Sequence, residues 1–308
     1  MTSSGMTKTL ARQGKRAWDA FSGFFTVGML KLLRMISANR TGDFGGFVLR
    51  HVGPFLSEHK VGRDNLTKAF PEKSSEEIDK ILIGAWDNLG RVGGEFAHLD
   101  RLWDYDITRQ KPGRMLDSDE SLKRCYALRD DGKPALIFSA HLSNWELAAV
   151  GATAFGLPTT VMYRRPNLGA VADALIKLRS GVMGTMVRSG LDAPIKLGRV
   201  LEEGGHVALL VDQYNVQGVD VTFFGRKTKA NPLIARLARN YDCPIHGVRV
   251  IRYPGYHYRL DLTDAITPPR DAEGKIDIEG TMQVITDVIE KWVREHPEQW
   301  LWLHRRWR

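Results

Sequence analysis

Cysteine is nearly missing: Cys125 and Cys243 are the only two in 308 residues, and they form no Cys-x-x-Cys. Neither a disulfide scaffold nor a zinc ribbon is therefore suggested, and a reducing compartment is expected. No Gly-x-Ser-x-Gly elbow occurs, which argues against a serine hydrolase. The histidines, among them His206, His246 and His257, lack metal-ligand spacing, so neither a metal nor a cofactor is expected. No apolar run reaches the roughly 20 residues that a membrane-crossing helix needs. The best candidate, Trp18 to Ile36, is broken by Lys31 and Arg34. Internal repeats and low-complexity linkers are also missing. The expected organisation is a basic N-terminal segment with a membrane-associating helix (1–40) followed by one domain (41–308).

What is present is positive charge: 44 Lys and Arg against 36 Asp and Glu, a net of +8. Such a chain favours anionic partners, whether lipid headgroups, phosphates, nucleic acid or an acidic carrier protein. The basic residues are scattered and no RNA-binding aromatic signature appears, so nucleic acid is not the expected partner. Lys8, Arg12, Lys15 and Arg16 precede a helical pattern that puts Trp18, Phe21, Phe25, Met29, Leu32, Leu33 and Ile36 on one face. That pattern suits a helix lying in or dipping into a membrane surface, or alternatively one packed on the domain. The tail, Trp300 to Arg308, alternates tryptophan with arginine and suits either a membrane interface or a covered edge.

Ser74 and Glu77 make a capping box before apolar residues at helical spacing, from Ile78 to Leu89, which reads as a helical cap over the domain. Beyond it, β-rich runs at Ala135 to Ala140, Thr159 to Tyr163, Thr185 to Arg188, His206 to Asp212, Pro244 to Ile251 and Tyr256 to Leu262 alternate with helical ones. The helical runs are Leu168 to Ser180, Leu191 to Glu203, Pro232 to Tyr241 and, late in the chain, Ile278 to Glu295. The expected fold is α/β, a mostly parallel sheet flanked by helices, with ligands at the carboxyl ends of its strands.

The run His141-Leu-Ser-Asn-Trp-Glu146 follows the first of these strands directly. Residues five apart on a regular helix point ~140° apart, so His141 and Glu146 pair only if His141 lies in the turn before the helix. A carboxylate on one imidazole nitrogen then leaves the other free to take a proton from a hydroxyl. A second reading stays open: Ser143 with Glu146 also fits a capping box, in which Glu146 only satisfies helix N–H groups.

The His-x4-Glu run resembles the His-x4-Asp/Glu signature of glycerolipid acyltransferases, and its setting resembles the lipid A biosynthesis lauroyl/myristoyl acyltransferases. The likeness covers most of the chain. It runs through Gly62-Arg-Asp-Asn-Leu, Ala69-Phe-Pro-Glu72, Trp86-Asp-Asn-Leu-Gly-Arg91, Met162-Tyr-Arg-Arg-Pro-Asn167, Asp212-Gln213, Phe223-Phe-Gly225 and Trp302-Leu-His-Arg-Arg306, in that order. It implies direct acyl transfer, without a covalent enzyme intermediate, from an acyl carrier protein thioester to a hydroxyl of a lipid A precursor. It also implies a place at the cytoplasmic face of the inner membrane.

By the resemblance His141 is the general base and Glu146 its orienting partner. Arg164, Arg165, Asp212 and Arg226 are candidates for oxyanion or phosphate binding, with Asp212 as a possible holder of an arginine. Asn144, Gln213, Phe223, Phe224 and Gly225 are substrate-binding candidates, the phenylalanines as lining of an acyl channel. After Gly225 the chain departs from the family pattern with Arg226, Lys227, Lys229 and Asn231-Pro232. Another phosphorylated glycolipid or phospholipid is accordingly an alternative acceptor. A reading of a different class is a basic membrane- or nucleic-acid-binding protein in which the His141 run is only a helix cap.

Overall fold

The computed structural model describes residues 28–105, 113–116, 118–165 and 170–308. After a helical stretch at 28–33 come α1 (Ala38–Val52), α2 (Ser57–Ala69) and α3 (Ser75–Glu95). The capping box of α3 is present, with Ser74 Oγ accepting from Glu77 N–H and Glu77 accepting from Ser74 N–H. Helices α1 and α3 meet backbone to backbone. A Cβ at Gly90 would stand 2.1 Å from the carbonyl oxygen of Gly45, and one at Gly94 2.1 Å from that of Thr41. Only glycine permits that approach.

The rest alternates: α4 (Asp119–Asp130), β1 (Ala135–Ser139), α5 (Glu146–Ala154), β2 (Thr159–Tyr163), α6 (Ala170–Ser180), β3 (Thr185–Arg188), α7 (Ala193–Glu202) and β4 (His206–Leu210). A hairpin follows, β5 (Tyr214–Phe223) and β6 (Arg226–Ala230), then α8 (Leu233–Tyr241), β7 (Ile245–Tyr253), β8 (His257–Ala265) and α9 (Ile278–Glu295). The main sheet has six strands in the order β3-β2-β4-β1-β7-β8, parallel throughout except for β8. The expected α/β fold with a mostly parallel, helix-flanked sheet is the one observed. Strand β1 lies between β4 and β7 and is buried at every position, which is why Ala135-Leu-Ile-Phe-Ser reads as a continuous apolar run.

Alternation along β1 divides the core. Leu136 and Phe138 pack with Ile234, Ile285, Ile289 and Trp292, the rings of Phe138 and Trp292 stacking 5.6 Å apart. Ala135 and Ile137 face the other way, toward Cys125, Leu157 and Leu262.

The hairpin is not among the sequence-predicted elements. Its loop is Phe224-Gly225, both at positive φ (52° and 67°), between the paired residues Phe223 and Arg226. A two-residue turn of that kind ordinarily announces itself by Asn-Gly or Asp-Gly. Here a phenylalanine takes the strained position, and its ring is buried against Phe70, Phe223 and Trp302.

The tail differs from an interfacial segment. Trp300 and Trp302 are 2% and 0% exposed, and Arg306 is buried with them, donating to Thr228 Oγ1 and the Lys229 carbonyl. Burial lowers the Arg306 guanidinium to about 10. The tail is thus core.

At the other end, Trp18, Phe21 and Phe25 of the expected amphipathic face lie outside the described residues. Met29, Leu32 and Ile36 are exposed, while Arg34 forks onto Asp100 and bonds the Ala97 carbonyl, tying this segment to the domain. Among the described residues no helix is long and apolar enough to cross a membrane.

Candidate active site

Register builds the centre of the site. Strands β1 and β4 are parallel neighbours with Ser139 opposite Leu210, so His141 and Asp212, each two residues beyond, emerge side by side. Asp212 Oδ1 lies 2.7 Å from the Nδ1 of His141, and its Oδ2 accepts from the His141 backbone N–H and from Trp300 Nε1, both at 2.8 Å. With Nδ1–H given to Asp212, the neutral imidazole keeps its lone pair on Nε2. There the amide of Gln213 stands 3.4 Å away.

Electrostatics follow from this geometry. Burial works to lower the His141 pKa, but the Asp212 charge and hydrogen bond, with a further contribution from Glu146, outweigh it and leave the group raised. Burial likewise works to raise Asp212, yet its pKa is lowered to about 2 by His141 and by N–H donors from the His141 backbone and Trp300.

The carboxylate that orients the His141 ring is therefore Asp212, in place of the expected Glu146. Glu146 opens α5 and is gripped by Arg179, whose Nε and Nη2 lie 2.8 and 2.5 Å from its oxygens, and by Trp145 Nε1 at 3.0 Å. Nor does the capping box form. Trp145 is the N-cap and Ser143 Oγ is buried without a hydrogen-bond partner among the described residues. Asp212 correspondingly holds a histidine and a tryptophan, not the expected arginine.

The turn between His141 and Glu146 is held from three directions. Ser143 sits at φ 52°, a conformation costing on the order of 1 kcal/mol for a non-glycine residue, and it persists because its surroundings dictate it. Its N–H donates to the Gln299 carbonyl, and the Asn88 amide on α3 donates to both the Ser143 and the Gln299 carbonyls. Asn144 is fully buried and gives its amide to Glu95, which also binds Arg252 and Tyr258. Asn144 is thus directed into the protein and not at the expected substrate. Asn65 on α2 donates to the carbonyls of Trp302 and His304, fixing the tail, and His304 Nε2 accepts from Tyr214 N–H.

A cavity of about 760 Å³ opens beside His141. Its polar end carries His141, Glu146, Arg179 and Gln213, with Arg164 and Arg165 from the end of β2. The rest of its wall is mainly apolar, with Ile137, Ala152, Phe155, Leu157, Ala208 and Leu262 beside Ser121, Ser139 and Thr159. Arg165 is ion-paired with Asp173 at 2.8 Å, whereas the Arg164 side chain is exposed.

The remaining candidates lie elsewhere. Phe223 and Phe224 are buried among Phe70, Trp300, Trp302 and Trp307 and do not line this cavity. Gly225 serves the hairpin turn, and Arg226 lies over the Trp307 ring at 4.4 Å. The aromatic pair after β5 supports the tail instead of lining a channel, because the turn folds it toward α2 and the C-terminus. No cluster of His, Cys, Asp or Glu suited to a metal occurs among the described residues.

Sequence reasoning did not single out Arg179, Glu95 or Trp300. For Arg179 no local pattern existed to find. Asn65, Asn88 and His304 stand inside blocks that carried the family resemblance, so a signal was there without its physical meaning. Gly93-Gly-Glu95 lies within a helical run, where a buried charge whose partner Arg252 is 157 positions away leaves no periodic trace.

Residues 13–308 match the sequence profile of the bacterial lipid A biosynthesis acyltransferases. The chain is 24% identical over 265 residues to the lipid A biosynthesis palmitoleoyltransferase of Escherichia coli, covering 83% of this chain and 80% of that protein. The same identity and coverage relate it to a lipid A biosynthesis acyltransferase of Shigella flexneri. The lipid A biosynthesis lauroyltransferase of Escherichia coli is 24% identical over 262 residues, 81% of this chain and 78% of that protein. With a profile spanning nearly the whole chain, the protein belongs to the bacterial lipid A biosynthesis acyltransferase family and is an O-acyltransferase.

Proposed function

We propose that this enzyme moves a fatty acyl chain from acyl carrier protein to a hydroxyl of a lipid A precursor, with His141 as general base. The observation that carries the reading is an Asp212-oriented histidine on the wall of a mainly apolar cavity of about 760 Å³. The acceptor hydroxyl replaces the Gln213 amide at His141 Nε2. As its oxygen attacks the thioester carbonyl, its proton passes to Nε2. When the tetrahedral intermediate collapses, the C–S bond breaks and the leaving thiolate takes that proton back.

Charges are disposed to help. Glu146 acts through its field on His141 and through Arg179, which it holds at the cavity wall, and not by a bond to the ring. Arg164, the arginine at this edge without the Asp173 pairing, is suited to the oxyanion or to a substrate phosphate. No metal or cofactor takes part in this scheme.

The same reading puts the enzyme on the cytoplasmic face of the inner membrane through the first described segments. Leu32 is 66% exposed, and Phe44, Phe47 and Phe55 on and after α1 are exposed too. Arg40 and Lys60 are exposed nearby in the chain. Apolar side chains with basic neighbours fit an anionic lipid surface. Positive charge also favours an acidic carrier protein.

Single-turnover transfer from acyl carrier protein thioesters to a tetra-acylated lipid A precursor tests the proposal. The wild type transfers and a folded His141→Ala variant falls by at least about a hundredfold, the low end for general-base loss. Transfer by His141→Ala at the wild-type rate overturns the mechanism. Product found only on another glycolipid or phospholipid of a membrane extract replaces the acceptor.

A further inference from the structure

Resting on the reading of the cavity as the acyl site, we infer that Ala208 and Leu157 set the length of the chain transferred. The sheet supplies a scale. Ile137 on β1, Ala208 on β4 and Val161 on β2 are register partners and all line the cavity, forming one rung across its wall. That rung lies four residues before His141 along β1, roughly 13 Å at the rise of a strand. The next rung, Ala135 with His206 and Thr159, lies roughly 20 Å back. Leu157 precedes Thr159 at the amino end of β2, packed with Cys125, Ile137 and Leu262.

The side chains differ along this path. At the middle rung β4 carries alanine, and α5 contributes Ala149 and Ala152 to the same cavity. Small groups there leave the lumen open. Leu157, at 5% exposure, is a buried branched side chain on the cavity wall, packed with Cys125 and Leu262 and with Phe155 beside it. Phe155 is braced in turn by edge-to-face contacts with Trp103, Tyr105 and Tyr126 at 5.4–6.1 Å. A chain entering at His141 therefore passes Ala208 and stops at Leu157. Lengthening the side chain at position 208 stops it sooner, and shortening that at 157 extends the path.

The test uses carrier-protein thioesters from octanoyl to stearoyl with the full-length wild type, Ala208→Leu, Leu157→Ala and, as a second block from the helix side, Ala152→Leu. The profile of kcat/KM against chain length moves to shorter donors for Ala208→Leu and to longer ones for Leu157→Ala. The preferred wild-type donor loses about tenfold or more for each methylene that no longer fits. Uniform loss across all lengths, or unshifted profiles in all variants, overturns the inference. If the wild type transfers nothing from these donors, the proposed donor and acceptor fail separately, and chain-length dependence is then read from titrations with non-hydrolysable alkyl carrier proteins. A wild-type preference there that Ala208→Leu and Leu157→Ala leave unmoved also overturns it.

Discussion

The two ends of the chain are built from similar side chains and lie in opposite environments. Near the N-terminus, Met29, Leu32, Met35 and Ile36 stand exposed beside Lys31 and Arg34. At the C-terminus, Trp300, Trp302 and Arg306 are buried. In the tail, burial goes with hydrogen-bonded indoles. Each indole of the tail has an acceptor: Asp212 for the buried Trp300, the Pro297 carbonyl for the buried Trp302 and the Phe223 carbonyl for the half-buried Trp307. A large amphipathic side chain goes inside only when its polar atom finds a partner there. The C-terminal segment also supports the candidate site, since Trp300 binds the carboxylate beside His141, whereas none of residues 28–36 lines the cavity.

The largest effect expected from this contrast is at Trp302. Trp302→Ala is expected to cost about 3–5 kcal/mol of stability, measured by denaturant unfolding, because a fully buried ring is removed. A loss below 1 kcal/mol would place the tail outside the core.

Asp212→Asn is next, with kcat/KM falling on the order of a hundredfold as the imidazole loses its orienting charge. Its pH profile carries the sign. A base must be neutral, so activity rises with pH through the raised His141 pKa; without Asp212, burial dominates and this limb moves to lower pH. The pair also contributes to stability in a defined window. Asp212 contributes above the unfolded carboxylate value and loses this as pH falls toward about 2, while His141 contributes below its unfolded value and loses this as pH rises through its raised one. The two overlap between roughly pH 4 and 6.5. A variant with an unmoved limb contradicts the Asp212–His141 pairing.

Trp300→Phe keeps the packing but removes one donor to a buried carboxylate, a loss of about 1.5–3 kcal/mol. It also moves the activity limb to higher pH, because an Asp212 charge with one N–H donor fewer bears more strongly on His141. A stability change without any shift in the limb would confine Trp300 to packing.

The smallest stability effect is at the other end. Phe44→Ser with Phe47→Ser is expected to stay within about 0.5 kcal/mol per site, since both side chains are exposed, while weakening sedimentation with anionic phospholipid vesicles. Full retention of vesicle binding would remove this face from the membrane contact.

Several features were readable directly. The buried run at 135–139 announces a central parallel strand, the Ser74–Glu77 box announces the start of α3, and the absence of a serine elbow directs attention to His141. Other features required the fold. That His141 pairs with Asp212 and not with Glu146 depends on β1 and β4 being neighbours in a given register, across a sequence separation of 71. The fate of Phe223-Phe-Gly225 depends on a hairpin whose loop carries no Asn-Gly signature, and Arg179 reaches Glu146 from a helix whose own pattern says nothing of a partner.

Local order is what the sequence alone determined here: hydrophobic period, caps and the placing of a histidine just beyond a strand are properties of neighbours along the chain. The identity of the carboxylate beside that histidine, the burial of the tail and the depth of the cavity were decided only by tertiary structure. They arise from strand order and from side chains brought together over distances at which periodicity carries no information.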